Sequence, residues 1–116
     1  MKIKKMKHLM PSLRQKKRYL VYDVVSEELL DKKTVENEIL NAAVELNGRL
    51  VLGKAGLVFL DDWNKNTGIL KVNNKYVDNI KASLCFIRKV NKKEAIIKSK
   101  GISGILKKAR NKFMAM

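Results

Sequence analysis

The chain has 116 residues, and its 26 Lys plus Arg against 11 Asp plus Glu give a formal net charge of +15. This length fits one domain with one hydrophobic core, and a content of 46% hydrophobic residues excludes a disordered chain. A single cysteine excludes an internal disulfide and favours an intracellular, cytoplasmic protein. No apolar run is long enough to span a membrane and no apolar segment follows the basic start, so neither a span nor a secretory signal is expected.

The first predicted elements are a strand and a helix that follow a basic tail containing Pro11. Residues 18–26 are short and rich in β-branched and aromatic side chains, which is typical of a strand. Asp31 or Thr34 would cap the helix that follows, and Gly48 is its predicted end. The apolar face of this helix consists of Val35, Ile39, Ala42, Ala43 and Leu46.

The second half of the chain predicts a hairpin, a second helix and a fourth strand. Residues 57–60 and 69–72 are apolar segments separated by a turn-rich stretch, so they form the second and third strands. Asn73 or Asn74 would cap the second helix, and residues 95–97 mark the fourth strand. The buried side of the second helix consists of Val77, Ile80, Leu84 and Ile87.

The order strand, helix, strand, strand, helix, strand predicts an α+β fold of the ferredoxin-like split βαβ type (βαββαβ). Its antiparallel four-stranded sheet is backed by two helices. After it, a Gly-x-Ser-Gly turn at 101–104 leads into a last, basic helix. One face of that helix consists of Ile102, Leu106, Ala109 and Phe113.

The charge is divided among three segments, which carry +8 at 1–18, −5 at 19–62 and +12 at 63–116. Such segregation indicates a polarised surface, and the usual partner of a strongly basic domain is nucleic acid. A lysine-rich codon usage that produces a solvated basic surface is the alternative. Only five of the basic residues are arginines, which favours contact with the phosphate backbone over reading of bases. We therefore divide the chain into a basic tail at 1–17, an α+β RNA-binding domain at 18–100, and the C-terminal turn and helix at 101–116.

The predicted binding residues fall into two clusters, one entering the first strand and one around the fourth strand and last helix. In the common 4-1-3-2 strand order the first and fourth strands pair, which would place the clusters side by side. The glycines of 101–104 would let backbone N–H groups and Ser103 approach a phosphate; a tight turn with a helix cap is the alternative, and it is compatible with that contact. The predicted RNA-binding residues are Arg14, Lys16, Lys17, Arg18, Lys98, Lys100, Ser103, Gly104, Lys107, Lys108, Arg110 and Lys112.

No residue pattern predicts catalysis or a metal site in the protein. The only histidine is His8 in the tail, and Asp61 and Asp62 are predicted to be a surface pair at the end of a hairpin. Tyr19 and Tyr22 are three residues apart on a strand, so they face opposite sides, and one is expected in the core and one at an interface. Phe86 lies opposite the buried side of the second helix, which makes it a residue of a protein interface unless the helix register is wrong.

Two segments together resemble a known family. Residues 11–20, Pro-Ser-Leu-Arg-Gln-Lys-Lys-Arg-Tyr-Leu, resemble the opening of archaeal ribonuclease P protein component 2. Residues 101–110, Gly-Ile-Ser-Gly-Ile-Leu-Lys-Lys-Ala-Arg, resemble its closing Gly-x-Ser-Gly and basic helix. The resemblance implies a non-catalytic protein subunit of the ribonucleoprotein that removes the 5′ leader from precursor tRNA. Its RNA subunit, with bound Mg²⁺, would perform the cleavage, and the protein would need no cofactor of its own.

The resemblance also implies two kinds of partner. The protein would fold and stabilise the catalytic RNA, and would contact precursor tRNA through the complex. It would also associate with ribonuclease P protein component 3 as a heterotetramer with two copies of each, for which Phe86 is a suitable interface residue. The alternatives are another basic α+β RNA-binding protein, such as a ribosomal protein, and a peripheral membrane or scaffold protein that uses the C-terminal helix.

Overall fold

A four-stranded antiparallel sheet organises the fold. The structure, a computed structural model, describes residues 16–114. The main sheet has the order β2-β3-β1-β6, which is the predicted 4-1-3-2 arrangement with β6 as its fourth strand, and β4 and β5 form a separate small hairpin. The six strands are β1 (Lys17–Val25), β2 (Val58–Asn64), β3 (Thr67–Asn73), β4 (Lys89–Val90), β5 (Lys93–Glu94) and β6 (Ile96–Ser103).

Helices lie on both sides of this sheet. On one side are α1 (Lys32–Ala55) and α2 (Val77–Cys85), the second preceded by a 3₁₀ turn at Asn74–Tyr76. On the other side is α3 (Leu106–Ala109), which continues as a π-helical turn at Arg110–Met114. None of these helices in the described part of the chain is long and apolar enough to cross a membrane.

The main core lies between the sheet and the two larger helices. Because neighbouring strand residues face opposite sides, Leu20 and Tyr22 of β1 enter this core, where both are at most 1% exposed. All four predicted core residues of α2 are buried, and so are most of those of α1. Leu46 is an exception among the residues predicted on the face of α1, since 43% of its surface is exposed.

Gly48 bends the first helix and does not end it, so that prediction is wrong. Its φ of 82° and ψ of 162° are not helical, and the helix resumes after it up to Ala55. The left-handed residue that ends the helix is Gly56, with φ 61°. Both conformations suit glycine, which has no Cβ to obstruct positive φ. Apolar spacing does not distinguish a glycine that ends a helix from one that bends it.

The β2–β3 hairpin is tighter than predicted, which lengthens both of its strands, and a second hairpin is present that was not predicted. Lys65 and Asn66 connect β2 to β3, and both have positive φ, as a two-residue hairpin turn requires. The Asn66 side chain also ties the loop before α1 to this turn, because its Oδ1 accepts from the Leu30 N–H at 2.7 Å. The β4–β5 hairpin was not predicted, and its turn likewise has positive φ at Asn91 and Lys92.

The C-terminal segment, residues 105–114, covers the second face of the sheet. Its Ala109 is fully buried beside Val21 and Ile69, and Phe113 packs against the same cluster. A Cβ on Gly101 would overlap the Phe113 ring, so this glycine makes room for the segment. β6 continues through Ser103, and Ile102 therefore pairs with Leu20 of β1 and does not lie in the last helix as predicted. The hydrogen-bonding partner provided by β1 outweighs the turn propensity of the glycines.

We expect the buried Tyr22 phenol to make stability fall at high pH. Burial, together with the Glu36 carboxylate, raises the pKa of Tyr22 far above its usual value. Since the folded pKa exceeds the unfolded value of about 10, the stabilisation is complete below pH 10 and is lost above it. The free energy of unfolding of the wild type should fall more steeply above pH 10 than that of Tyr22→Phe, by up to about 1.4 kcal/mol per pH unit. Urea unfolding between pH 8 and 11 measures this, and parallel curves would contradict it.

Candidate nucleic-acid interface

The start of β1 carries the first basic cluster, and Arg18 is its most constrained member. The Arg18 Nε donates to Asn74 Oδ1 at 3.2 Å, and its guanidinium lies against Gly104, where a Cβ would overlap it. The Asn74 N–H in turn donates to the Lys16 carbonyl at 2.7 Å. Three chain segments therefore meet at this end of the sheet, where Lys16 and Lys17 are exposed. The predicted site residue Arg14 lies outside the described residues.

The second predicted cluster is divided by the direction of β6. Antiparallel pairing places Ser103 beside Tyr19, but it places Lys98 beside Asp23. Asp23, the partner of Lys98, is five residues after Arg18 on β1. Lys98 is therefore about 17 Å from Arg18 along the strand direction. Lys100 is the extra residue of a bulge in β6. The structure brings Ser103 and Gly104 to Arg18 and leaves Lys98 near the opposite end of the strand.

Ser103 and Gly104 are placed differently from the prediction. The Ser103 hydroxyl accepts from the Ile105 N–H and donates to the Ile105 carbonyl, both at 3.1 Å, which stabilises a local turn. The α-helix that follows has only four residues, and no side chain caps it. Gly104 provides room for the Arg18 guanidinium. That these two residues contact a phosphate stays a prediction. The prediction was based on a longer helix than the one that follows them in the structure.

The basic side chains of the C-terminal segment serve two purposes. Lys107 and Lys108 are exposed. The Arg110 guanidinium instead binds the Asp62 carboxylate with both ends, Nε to Oδ2 at 2.7 Å and Nη2 to Oδ1 at 3.0 Å. This hydrogen bond with Asp62 raises the pKa of Arg110. Lys112 lies 5.6 Å from the centre of the Phe113 ring, within the range of a cation–π contact.

The apolar side of the C-terminal segment is already occupied. Leu106, Ala109 and Phe113 pack on the sheet, as the predicted helical face suggested for these three residues. A membrane-binding role would need this face to be free, so the packing disfavours that alternative. Tyr19 packs at the margin of the same cluster, whereas Tyr22 is in the main core. The sheet face that stacks bases in other RNA-binding folds is therefore largely covered here.

Several basic residues near the predicted surface were missed by sequence reasoning. Lys71 is the cross-strand neighbour of Tyr19, and Lys75 follows the end of β3. Only the strand register reveals that they join the cluster at the start of β1, since they are far from it in the chain. A further group lies exposed on the small hairpin and consists of Arg88, Lys89 and Lys92.

Phe86 lies just beyond the end of α2, and 67% of its surface is exposed. With Ala42 and Leu46 of α1 it borders a shallow groove whose other side is the chain leading to β4. The exposure fits the predicted role at a protein interface. Among residues 16–114, no three His, Cys, Asp or Glu side chains come together in a way that could hold a metal ion.

Comparison with known proteins gives relatives over nearly the whole chain. Residues 18–114 match the sequence profile of the Rpp14/Pop5 family. The chain is 31% identical to ribonuclease P protein component 2 of Pyrococcus horikoshii, over 97% of this chain and 95% of the relative. It is 38% identical to the protein of that name in Methanococcus maripaludis, over 94% and 83%. A chain in the cryo-EM structure of yeast ribonuclease MRP has the same fold, with a TM-score of 0.64, 14% identity and coverage of 78% and 76%.

We expect the Arg110–Asp62 ion pair to fasten the C-terminal segment to β2. Asp62→Ala should make amide hydrogen exchange in residues 106–114 about two- to fivefold faster. The effect is small because a partly exposed ion pair adds little to the free energy of local opening. The amides of β1 should be unaffected. Asp61→Ala is the matched control and should change nothing, while the charge swap Asp62→Arg with Arg110→Asp should restore slow exchange. Unchanged exchange in Asp62→Ala would show that apolar packing alone holds the segment.

Proposed function

The chain belongs to the Rpp14/Pop5 family, and from this membership we propose that it is a protein subunit of ribonuclease P that binds and stabilises the catalytic RNA. Removal of the 5′ leader from precursor tRNA would then be its cellular task. The observation that carries the proposal is the alignment with proteins named ribonuclease P protein component 2, over 95% and 83% of the length of the two relatives described above. The excess of positive charge, +15 over the chain, supports RNA as the ligand.

The exposed lysines support a mechanism of charge neutralisation. Lys16 and Lys17 are exposed at the end of the sheet where β1 begins, and Lys107 and Lys108 are exposed on the segment that follows β6. Each would neutralise RNA phosphates, which allows RNA helices to pack closely at a lower Mg²⁺ concentration. Lys98 and Lys100 would extend the contact along the edge of β6. The chemical step is assigned to the RNA subunit and its Mg²⁺, and precursor tRNA is reached through the complex.

Arg110 has a different role from the one that the basic sequence suggests. Its guanidinium forms two hydrogen bonds with Asp62, so a phosphate would have to displace a carboxylate that is already well placed. We assign it to holding the C-terminal segment, and thereby Lys107 and Lys108, in position.

The groove beside Phe86 supports a protein partner. An exposed aromatic side chain next to apolar residues is typical of the residues that dominate binding at protein interfaces. We assign this groove to ribonuclease P protein component 3, in a heterotetramer with two copies of each protein. The groove is lined by residues of α1 and of the loop after α2, and neither Lys16 nor Lys17 lines it, so the two partners would use different residues.

Replacing Lys107 and Lys108 by Ala should weaken binding to ribonuclease P RNA without unfolding the domain, because both side chains are exposed. Each lost phosphate contact lowers the slope of log affinity against log salt by roughly 0.7–0.9, so the double variant should lose about 1.5. Filter binding between 50 mM and about 200 mM salt measures both quantities. The matched control removes the same charge at Lys33 and Arg49, which are both exposed on α1 and outside the ion pairs of the described residues, and should change the slope little. Equal effects of the two double variants would remove α3 from the site.

Reconstitution tests the function itself. Adding this protein together with component 3 should let ribonuclease P RNA cleave precursor tRNA at a Mg²⁺ concentration severalfold lower than the RNA alone requires. Phe86→Ser should reduce the part of this decrease in the required Mg²⁺ concentration that depends on component 3. It should leave RNA binding by this protein unchanged. An unchanged Mg²⁺ requirement with the wild-type proteins would contradict the proposed function.

A further inference from the structure

A buried amide donor without a partner lies beside the lysines at the start of β1. Asn73, the last residue of β3, is only 1% exposed. Its Oδ1 accepts from the Lys75 N–H at 3.3 Å, and this cap determines which way the amide faces. Its Nδ2 is fully buried and has no hydrogen-bond partner among the described residues. Native proteins rarely leave such a donor unpaired, so it indicates a ligand.

Two lysines share the sheet face of this amide. Lys17 is the direct cross-strand neighbour of Asn73, and Lys71 is two residues before it on β3. The ion pairs that the described residues form involve Lys32, Lys93 and Arg110, so neither Lys17 nor Lys71 is neutralised by a carboxylate. The amide is thus accompanied by two ammonium groups, and each of these three groups is a donor.

The Lys17 side chain extends toward the end of α1. Its Nζ lies 3.0 Å from the position that a Cβ would take on Gly56, the residue that ends this helix. The carbonyl groups at a helix C-terminus carry partial negative charge and attract a cation. A phosphate carries a full charge and stronger acceptors, so it can take Lys17 from this position.

We propose that Asn73 Nδ2, Lys17 and Lys71 bind one phosphate group of the RNA backbone. This inference rests on the proposed function and identifies an anchor point within it. When RNA binds, Lys17 moves from the end of α1 to the phosphate, which opens the amide to solvent, and Asn73 donates to a phosphate oxygen. The two ammonium groups neutralise the charge, while the amide, held by its cap to Lys75, determines the position.

The chemistry of the site fits a phosphate and not a base. A base edge presents donors as well as acceptors, whereas a phosphate presents acceptors alone and matches a set of donors. Lys16, Arg18 and Lys75 continue the positive surface beyond this point, which is more charge than one isolated phosphate ion needs. The arrangement therefore favours a polymer with further phosphates over a free phosphate or a mononucleotide.

The test exchanges the donor for an acceptor and keeps the cap. Asn73→Asp retains an oxygen that can accept from the Lys75 N–H, since Asp is also a good capping residue, but it removes the Nδ2 donor. Asn74→Asp is the matched control, because it changes the charge equally at the next residue and keeps an oxygen for Arg18. We expect Asn73→Asp to weaken binding to ribonuclease P RNA at least tenfold and Asn74→Asp by no more than about threefold.

The controls separate the two proposals. Asn73→Ser keeps a capping oxygen without adding charge, and a loss of about threefold or more supports the site even where Asn73→Asp unfolds. Equal affinities of Asn73→Asp and Asn74→Asp, with both folded by circular dichroism, overturn the phosphate site. If the Lys107 and Lys108 double variant still loses affinity in the same assay, the proposed function stands without this site. If the wild-type protein does not bind ribonuclease P RNA at all, both proposals fail.

A second measurement distinguishes a polymer from a free phosphate ion. Addition of inorganic phosphate to the free protein should shift the Asn73 side-chain amide resonance less than the RNA does, and an equal shift would contradict a polymer as the ligand.

Discussion

The pairing of β1 with strands on both of its sides is the constraint on which the rest of this structure depends. β1 hydrogen-bonds to β3 and to β6, and its residues alternate between two separate apolar clusters. Leu20 and Tyr22 support α1 and α2, while Val21 supports the C-terminal segment. The strand also begins with Lys17 and Arg18, so the same backbone that holds both clusters presents the basic end of the sheet. A change in its register by one residue would exchange the two clusters and turn these basic side chains to the other face.

Charge and packing are closely connected at that end of the sheet. Arg18 connects the start of β1 to Asn74 and to Gly104, so a basic residue that could meet RNA also holds three segments together. Arg110 has a similar structural use through Asp62. The side chains of Lys16, Lys107 and Lys108 form no ion pair with the described residues, which leaves their charge available to a polyanion. Arg18 and Arg110 thus fix the surface, and the exposed lysines without an ion pair provide its available charge.

Much of the fold follows from local patterns in the sequence. The helical spacing of Val77, Ile80 and Leu84 predicted the buried side of α2, and the βαββαβ order predicted the pairing of β1 with β6. The buried side of α2 depends on periodicity, which neighbouring residues determine by themselves, whereas the strand pairing was predicted from the strand order common to this fold. The extended Gly101-Ile102-Ser103 segment depends instead on a distant strand, and its glycine serves the Phe113 ring. Turn residues alone could not predict it.

The candidate site was predictable in composition and much less so in arrangement. Lys16, Lys17 and Lys107 were identified from the charge pattern, but the antiparallel direction of β6 separated Lys98 from them. The sequence also indicated Asn73 as a possible cap. Only three-dimensional packing reveals that the second half of its amide is buried without a partner. Such a feature arises from residues that are distant in the chain, and no local pattern records it.

The C-terminal segment has a consequence for the way in which a polyanion can approach this protein. With α1 and α2 on one face of the sheet and residues 105–114 on the other, both broad surfaces are covered, and the perimeter remains. A ligand that touches only a perimeter meets strand ends and strand edges, which offer charge and backbone groups but few flat aromatic surfaces. A polyanion that met this perimeter would find charged side chains there and no open sheet face on which its bases could stack.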